Sequence, residues 1–347
     1  MNPQNSLQEI DKLIQQLQSA LLPQELKDKA LQQIERISLT LKFGGSLAQF
    51  DVAQKYIDWI THLPWNTSTQ EKLNITEVKQ MLDARHFGLE KIKTRVLEYL
   101  SILTLQRQSA NALSYHAPVL FFVGLAGTGK TTFAQAIAEA LGRAFVRIPF
   151  GGLSSALDLR GQSKTSPEAE PGAIIKVLRQ AQSNNPVILL DELDRITPAA
   201  QPSIMGVLLE LLDPNQNKTF TDHFIDYPFD LSKVLFVATA NNTNAISTAV
   251  LDRLEVVQMP AYTDAEKIAI AKQYVLPKAV RNAGMPENTI VIDDMLWQKV
   301  TRPLGFDSGI RTLERTIEGI VRKAAFKLVH GQQGPFHLTE LNIMEFL

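Results

Sequence analysis

Two stretches near the start of the chain carry apolar residues at steps of three and four positions. The first runs from Leu7 to Leu21, and the second covers residues 26–41 after an interruption at Pro23. Such steps place apolar side chains on one face of an α-helix, and a proline interrupts a helix. The pattern predicts a helical hairpin over residues 5–42 that packs on itself. A partner-binding coiled coil is the alternative, although the repeat covers only about two heptads.

Helical periodicity continues up to residue 106. A Gly-Gly-Ser turn at residues 44–46 precedes a predicted helix over residues 48–62. A predicted pair of helices over residues 75–106 is interrupted at residues 86–88. We therefore predict an N-terminal helical region over residues 1–110.

The hydrophobic pattern changes beyond residue 110. Short, continuous apolar runs alternate with amphipathic stretches, which is typical of a parallel sheet buried on both faces. This order predicts an α/β fold, a three-layer αβα domain with a mostly parallel sheet, over residues 111–261. The predicted strands cover residues 119–123, 144–149, 187–190 and 234–242, and the predicted helices cover residues 132–141, 172–183 and 202–212.

The last part of the chain is again helical. It predicts a small all-α domain over residues 262–347. The predicted helices cover residues 263–276, 293–302 and 309–330 and a final segment from residue 339, with a short strand at residues 336–338.

A glycine-rich turn joins the first apolar run to the helix that follows it. Buried strand, turn and helix are the setting that a phosphate-binding loop of the form G-x-x-x-x-G-K-T requires, which argues against a plain tight turn. Gly124, Gly127 and Gly129 let successive backbone N–H groups face phosphate oxygens, and a helix N-terminus favours anions. Lys130 is predicted to reach the β- and γ-phosphates, and Thr131 to ligate Mg²⁺.

Two acidic residues follow the apolar run at residues 187–190. Acidic pairs are common on loops, but these come directly after a buried strand, about 60 residues beyond the glycine-rich loop. Asp191 is predicted to hold Mg²⁺ through its water shell. Glu192 is predicted to orient and deprotonate an attacking water.

Three more polar residues have positions that allow two interpretations. Asn241 closes the predicted strand at residues 234–240, where it could contact a γ-phosphate or a lytic water, or simply cap a turn. Arg253 lies in an otherwise apolar segment, and Arg311 lies at the start of a long predicted helix. Taken alone, either arginine is better explained as a surface or ion-paired residue.

Composition narrows the function classes. The chain has 347 residues, 45% hydrophobic and 20% charged, with a net charge of −1 and no cysteine. The missing cysteines exclude disulfides, thiol catalysis and cysteine-based zinc sites. The near-zero charge gives no reason to expect a nucleic-acid or membrane partner. With no signal-like start and no apolar run of membrane-spanning length, a cytoplasmic protein is expected.

The motifs GLAGTGKT, ILLDELD, VATANN, AVLDR and SGIR, in this order, resemble the AAA+ ATPases. Longer segments resemble the ATPase part of the Lon protease family, and the likeness covers nearly the whole chain. They include YIDWITHLPWN, DARHFGLEKIKTRVLEYL, GRAFVRIPFGG and LLDPNQNKTFTDHFIDYPFDLSKVLFVATANN.

The resemblance implies roles for individual residues. Walker A and Walker B would be the loop with Lys130 and the acid pair, Asn241 would be sensor 1, Arg311 sensor 2, and Arg253 an arginine finger acting on a neighbouring subunit. The implied catalytic residues are Glu192, Asp191, Lys130, Asn241, Arg253 and Arg311. The implied ATP and ADP contacts are Gly124, Gly127, Thr128, Gly129, Lys130, Thr131 and Thr132, with an adenine pocket of His86, Phe87, Gly88, Tyr262, Ile270 and Ile310; the implied Mg²⁺ ligands are Thr131 and Asp191.

The chain departs from the family pattern in three ways. By comparison with the family, the chain, which ends at Leu347, is expected to lack the Ser–Lys peptidase domain and the family's substrate-recruiting N-terminal domain. Where the family has an aromatic–aliphatic pore loop, this chain has Ser166 and Pro167, followed by Glu168 and Glu170. Such residues cannot grip a threaded chain as an aromatic ring can, and the carboxylates are expected to ring a pore with negative charge.

These features predict an ATP-hydrolysing, Lon-like ring, expected to be a hexamer, that remodels a protein partner and is not a peptidase by itself. The helical part after residue 261 would then be the lid domain. Alternatives are a nucleotide-dependent scaffold or regulator, the ATPase half of a split protease with a separately encoded peptidase, and an excised fragment of a longer protease.

Overall fold

The computed structural model describes residues 3–42, 48–71, 74–108, 118–165, 168–302 and 309–347. The predicted turn at residues 44–46 and the altered loop positions Ser166 and Pro167 lie outside these ranges. Among the helices within them, none is long and apolar enough to cross a membrane.

The predicted N-terminal hairpin is confirmed. Helices α1 and α2 pack against each other and both contact α3, and the buried Leu17, Leu26 and Ile57 belong to one apolar cluster. The predicted break at residues 86–88 falls between α4 and α5. The described helices of this region are α1 (Pro3–Ser19), α2 (Gln24–Lys42), α3 (Ala48–Thr61), α4 (Ile75–Arg85) and α5 (Glu90–Gln108).

The predicted α/β domain is also confirmed. Its longer strands form one parallel sheet in the order β2-β3-β6-β1-β7, while β4 and β5 form a separate antiparallel pair. The described elements are β1 (Val119–Val123), α6 (Lys130–Ala140), β2 (Phe145–Pro149), α7 (Leu157–Arg160), α8 (Ala173–Ala181), β3 (Val187–Asp191), α9 (Gln201–Leu212), β4 (Phe220–Thr221), β5 (Pro228–Phe229), β6 (Leu235–Ala240), α10 (Thr248–Leu251) and β7 (Leu254–Gln258).

Alternate residues of each central strand enter two different apolar clusters. Phe121 and Ile188 belong to the cluster that includes α1–α3, α8 and α9, whereas Phe122 and Leu189 belong to the cluster that includes α4–α6. The sheet is therefore the middle of three layers, and the N-terminal helices help to cover both of its faces. The domain boundary at residue 110 stays a prediction.

Strand β7 is absent from the predicted strands. It lies at the edge of the sheet and pairs in parallel with β1, with Leu120 opposite Glu255. Its polar Glu255 and Gln258 and the partly exposed Val256 interrupt the continuous apolar pattern that marks the central strands. An edge strand is buried on fewer sides, so its sequence signal is weaker.

The C-terminal part is a small, mainly helical unit with its own apolar cluster. The predicted helix at residues 263–276 continues further than expected, through a π-helical turn at Ala271–Val275. The predicted helix at residues 293–302 is shorter, and a strand pairs in parallel with the predicted one at residues 336–338. The described elements are α11 (Asp264–Ile270), α12 (Leu276–Asn282), β8 (Ile290–Ile292), α13 (Trp297–Thr301), α14 (Arg311–Val329), β9 (Phe336–Leu338) and α15 (Ile343–Phe346).

Candidate active site

The glycine-rich loop joins β1 to α6, as predicted. Gly127 and Gly129 have φ values of 80° and 94°, in the left-handed region that favours glycine. A Cβ on Gly124 would lie 2.5 Å from the carbonyl oxygen of Met259, so no larger residue fits there without movement. The loop therefore depends on glycine for its backbone angles at two positions and for space at a third.

Lys130 is the first residue of α6 and is largely buried. Its Nζ donates to the carbonyl oxygens of Gly124 at 2.5 Å and Leu125 at 3.0 Å, and to Oδ1 of Asn241 at 3.2 Å. Burial lowers the pKa of Lys130, opposed by the charges of Asp194 and Asp191. All three hydrogen-bond acceptors are neutral, so an anion arriving at the loop would stabilise the charged amine.

The two acids lie at the carboxyl end of β3, where Asp191 is the last residue of the strand. The buried Asp191 carboxylate accepts a hydrogen bond from the Thr239 hydroxyl and lies 2.6 Å from Nε of Arg147. The backbone N–H of Glu192 donates to the same Thr239 hydroxyl at 3.0 Å. Glu192 itself has a φ of 60°. Thr239 therefore fixes the position of both acids relative to strand β6.

Thr239 and Arg147 are site residues that the sequence did not single out. Thr239 is fully buried in an otherwise apolar strand. Because buried hydroxyls need hydrogen-bond partners, a threonine at this position could have been predicted to bind a neighbouring polar group. Arg147 lies on β2 in register with Leu189 of β3. Nothing in its local sequence shows that it would reach the acid pair, because that depends on strand order.

Most of the predicted catalytic and phosphate-binding residues meet in one cleft at the carboxyl ends of β1, β3 and β6, whereas Gly124, Thr128 and Arg253 do not line it. The cleft contains a cavity of about 220 Å³. Its lining includes Gly127, Gly129, Lys130, Thr131 and Thr132 from the loop, Asp191 and Glu192 from the acid pair, and Asn241, Arg311, Arg147, Ile310 and Glu314. Four separate segments of the sequence thus supply five of the six predicted catalytic residues to a single site.

A second cavity of about 570 Å³ adjoins the first. Its lining includes His86, Phe87, Tyr262, Ile270 and Ile310, which were the predicted base-binding residues. Gly88 is not part of this lining. It has a φ of 62°, so its contribution is to the turn between α4 and α5.

Two of the rings that line the second cavity, those of His86 and Tyr262, contact neighbouring residues and are uncharged at pH 7. His86 stacks on Phe133 with ring centroids 3.8 Å apart. Burial lowers the pKa of His86 to about 4, so its ring is neutral at pH 7. Tyr262 donates from its hydroxyl to the carbonyl oxygen of Thr128 at 3.4 Å, and burial raises its pKa to about 12. The cavity therefore offers uncharged aromatic walls, which suit a planar base.

The C-terminal unit contacts the glycine-rich loop through backbone atoms. Ile310 donates its N–H to the carbonyl oxygen of Gly127 at 3.1 Å. A Cβ on Gly309 would lie only 2.4 Å from the carbonyl oxygen of Ala126. This close approach brings Arg311, at the start of α14, to the cleft.

Arg253 is not part of the cleft in its own chain. Its guanidinium lies 3.3 Å from the Asp213 carboxylate and donates to the carbonyl oxygen of Ala249 at 2.8 Å. Its side chain is 34% exposed, so a neighbouring molecule could reach it.

Glu170 is ion-paired within its own chain. Its carboxylate lies 2.5 Å from Nζ of Lys176 and 4.0 Å from Nζ of Lys55, while the negatively charged pore stays a prediction. These contacts lower its pKa. Of the two predicted pore carboxylates, only the exposed Glu168 lacks a described cationic partner.

The bridging hydroxyl of Thr239 can be tested through stability. Thr239→Val keeps the side-chain shape but leaves the Glu192 N–H and the Asp191 carboxylate short of a partner, so we expect a loss of about 2 kcal/mol in unfolding free energy. Thr239→Ser keeps the hydroxyl and loses one buried methyl, which costs about 1 kcal/mol. Urea unfolding measures both. A valine variant as stable as the serine variant would contradict the bridge.

The fold and the cleft define a P-loop domain of the AAA class. Residues 120–261 match the family described as "ATPase family associated with various cellular activities (AAA)". Residues 281–336 match the Lon protease AAA+ ATPase lid domain. The chain is an AAA+ ATPase module of the Lon type.

Individual relatives agree with this assignment. The chain is 40% identical over 340 residues to the Lon protease of Lawsonia intracellularis, covering 98% of this chain and 40% of that protein. It is 42% identical over 321 residues to the Lon protease of Clostridioides difficile, covering 92% and 40%. It is 38% identical over 339 residues to Lon protease 1 of Bacillus subtilis, covering 98% and 43%. The chain therefore spans about two fifths of the length of these relatives.

Proposed function

We propose that the chain binds ATP and hydrolyses it to ADP and phosphate, driving the remodelling or unfolding of a protein partner. The observation that carries the proposal is the convergence of Lys130, Asn241, Arg311 and the acid pair on one cleft. Each group has the chemistry that phosphoryl transfer to water needs: a cation for phosphate, a carboxylate base and a further positive charge. The adjoining cavity has the size and the aromatic walls for adenine.

A bound triphosphate would replace the neutral hydrogen-bond acceptors of Lys130 with charged ones. Lys130 now donates to two carbonyl oxygens and to Asn241, and phosphate oxygens are stronger acceptors for an ammonium. Asn241 would then be free to hold the lytic water or the γ-phosphate. Arg311 would neutralise charge on the transferred group.

The cleft also fits a Mg²⁺ ion. The Thr131 hydroxyl and the Asp191 carboxylate line the same cavity, and they would hold the ion. Among the described residues there is no group of three or more His, Cys, Asp or Glu side chains able to bind a metal. This donor set suits Mg²⁺, which keeps several waters and binds few protein groups besides substrate phosphates. When bound, the ion would reduce the charge on the phosphates.

Glu192 is the proposed general base. Its carboxylate lines the cleft and is partly exposed, and its backbone is held by the Thr239 hydroxyl. In the reaction it would accept a proton from the water that attacks the γ-phosphorus, as the bond to the leaving ADP oxygen breaks. A fixed base next to a buried acid is the arrangement that this step requires.

We further propose that the active form is a homo-oligomeric ring, expected to be a hexamer, in the cytoplasm. Support comes from Arg253, which does not line its own cleft but is accessible from outside. In a ring it would complete a neighbour's site. The proposed partner is a protein substrate, with a separately encoded peptidase also possible; we propose no peptidase activity for the chain itself and no nucleic-acid partner.

ATP turnover measured against protein concentration, with light scattering on the same samples, tests the proposal. Turnover per chain that rises as the mass moves to a ring is the expected result. Nucleotide binding and ring formation without turnover would overturn the hydrolytic function. A monomer with full turnover would overturn the ring.

Arg253→Ala is expected to lower kcat at least about 100-fold while the affinity for ATP stays within about threefold, because arginine fingers stabilise only the transition state. Mixing this variant with Lys130→Ala protein should restore part of the activity, since one subunit brings an intact loop and its neighbour an intact arginine. Arg315→Ala, an exposed arginine on α14, is the matched control. A mixture with no recovered activity would contradict action between subunits.

One observation favours a second candidate function. Ser166 and Pro167 replace residues that grip substrate in the family, which suits a nucleotide-dependent scaffold or regulator whose channel is not used. A scaffold needs no hydrolytic base, however, and Glu192 is retained in the cleft. Measured turnover therefore separates the two functions.

A further inference from the structure

The two cavities of the site share part of their lining, which we call the junction. Gly129, Thr132, Ile310 and Glu314 line both of them. On one side lie Lys130 and Thr131, and on the other side lie the rings of the second cavity. Any molecule that fills both cavities must pass this junction.

The proposed function determines what an occupant would place there. If the triphosphate lies at the loop and the base lies among the aromatic walls, the sugar that links them lies at the junction. A ribose carries 2′- and 3′-hydroxyl groups, which can both donate hydrogen bonds to one carboxylate, as acidic residues do in dinucleotide sites. A carboxylate at the junction would therefore be placed to accept hydrogen bonds from the ribose.

The four junction residues differ in their capacity to accept hydrogen bonds. Gly129 and Ile310 have no side-chain acceptor, and Thr132 has a neutral hydroxyl that is already bound to the carbonyl oxygen of Gly129 at 2.7 Å. Glu314 is different. Its carboxylate is half-buried, and it forms no hydrogen bond or ion pair with any residue in the part of the chain that the structure describes.

This carboxylate is held in an unfavourable setting. Burial raises the pKa of Glu314, an effect opposed by the charges of Lys278 and Arg311 and reinforced by that of Glu318. A desolvated acceptor without a donor costs free energy, and a ligand that brings hydroxyl donors recovers it.

We propose that Glu314 is a specificity-determining residue that accepts hydrogen bonds from the ribose hydroxyls and so selects ribonucleotides. The proposal rests on the proposed nucleotide-binding function and assigns a new role within that site. Because Glu314 and the triphosphate are both negative, the carboxylate by itself opposes nucleotide binding. Its contribution must therefore come from the hydroxyl contacts.

Nucleotides with and without the ribose hydroxyls separate the hydrogen bonds to Glu314 from its repulsion of the triphosphate. The probes are ATP and 2′,3′-dideoxyATP, which lacks both hydroxyls, and their dissociation constants are measured by calorimetry. The unaltered chain is expected to bind ATP at least about 10-fold more tightly, since a hydrogen bond to a charged acceptor contributes about that much. Glu314→Ala is expected to bring the two constants within about twofold of each other, and to strengthen the binding of dideoxyATP.

Two further variants complete the test. Glu314→Gln keeps an oxygen acceptor and the side-chain shape, so it should give an intermediate ratio. Glu98→Ala removes a negative charge from an exposed position on α5 that lines neither cavity, and should leave the ratio unchanged. Thermal unfolding of each variant checks the fold.

An unchanged ratio in Glu314→Ala, with both nucleotides bound more tightly, would overturn the proposal and assign Glu314 a purely electrostatic effect. Equal binding of both nucleotides by the unaltered chain would overturn it as well, while leaving the proposed ATPase intact. A chain that binds neither nucleotide would overturn both.

Discussion

Lys130→Ala is expected to reduce the affinity for ATP by at least about 100-fold, because it removes a charge-assisted contact to the β- and γ-phosphates. The ammonium is held at the centre of the loop by Gly124, Leu125 and Asn241, whereas the other cations that line the cleft, Arg147 and Arg311, come from β2 and α14. Titration of a fluorescent ATP analogue measures the loss.

The same substitution should leave the chain folded. The buried ammonium is costly in the free protein, as its lowered pKa indicates, so its removal relieves a desolvation cost while it breaks three hydrogen bonds. Lys91→Ala removes the same charge from an exposed position on α5 and serves as the control. Retained ATP affinity in a folded Lys130→Ala protein would mean that the phosphates bind elsewhere.

Glu192→Gln is expected to lower kcat about 1,000-fold, since general-base catalysis contributes 100- to 10,000-fold and the amide cannot accept the proton. ATP affinity should change less than about threefold, because the amide keeps the shape and the Glu192 backbone bond to Thr239 is unaffected. Single-turnover measurements with the ring preassembled separate chemistry from binding. Glu98→Gln, an exposed acid on α5, is the control. Turnover within tenfold of the unaltered chain would remove Glu192 as the base.

The parts of the site that lie in continuous sequence could be predicted. The loop between β1 and α6 and the acids after β3 are each set by a strand, a turn and a helix whose residues are neighbours in the chain. The central strands were predictable for the same reason, since burial on both faces gives an unbroken apolar run.

The residues that were missed depend on tertiary structure. Arg147 reaches Asp191 only because β2 is placed beside β3, and Glu314 reaches the junction only because α14 is held against the loop. Strand order and the docking of the C-terminal unit are set by packing over long sequence distances. The sequence around a single Arg on a strand or a single Glu on a helix therefore does not indicate which residues it will contact in the folded chain.

The contact between Gly309 and the loop has a mechanical consequence. Two backbones meet there without side chains between them, so there is no compressible layer to absorb a shift of the loop. Helix α14 begins two residues later and is 19 residues long, which corresponds to about 28 Å. A tilt of about 5° at its anchored end would carry its far end through about 2.5 Å, given that length. A small movement of the loop would thus be enlarged at the far end of α14.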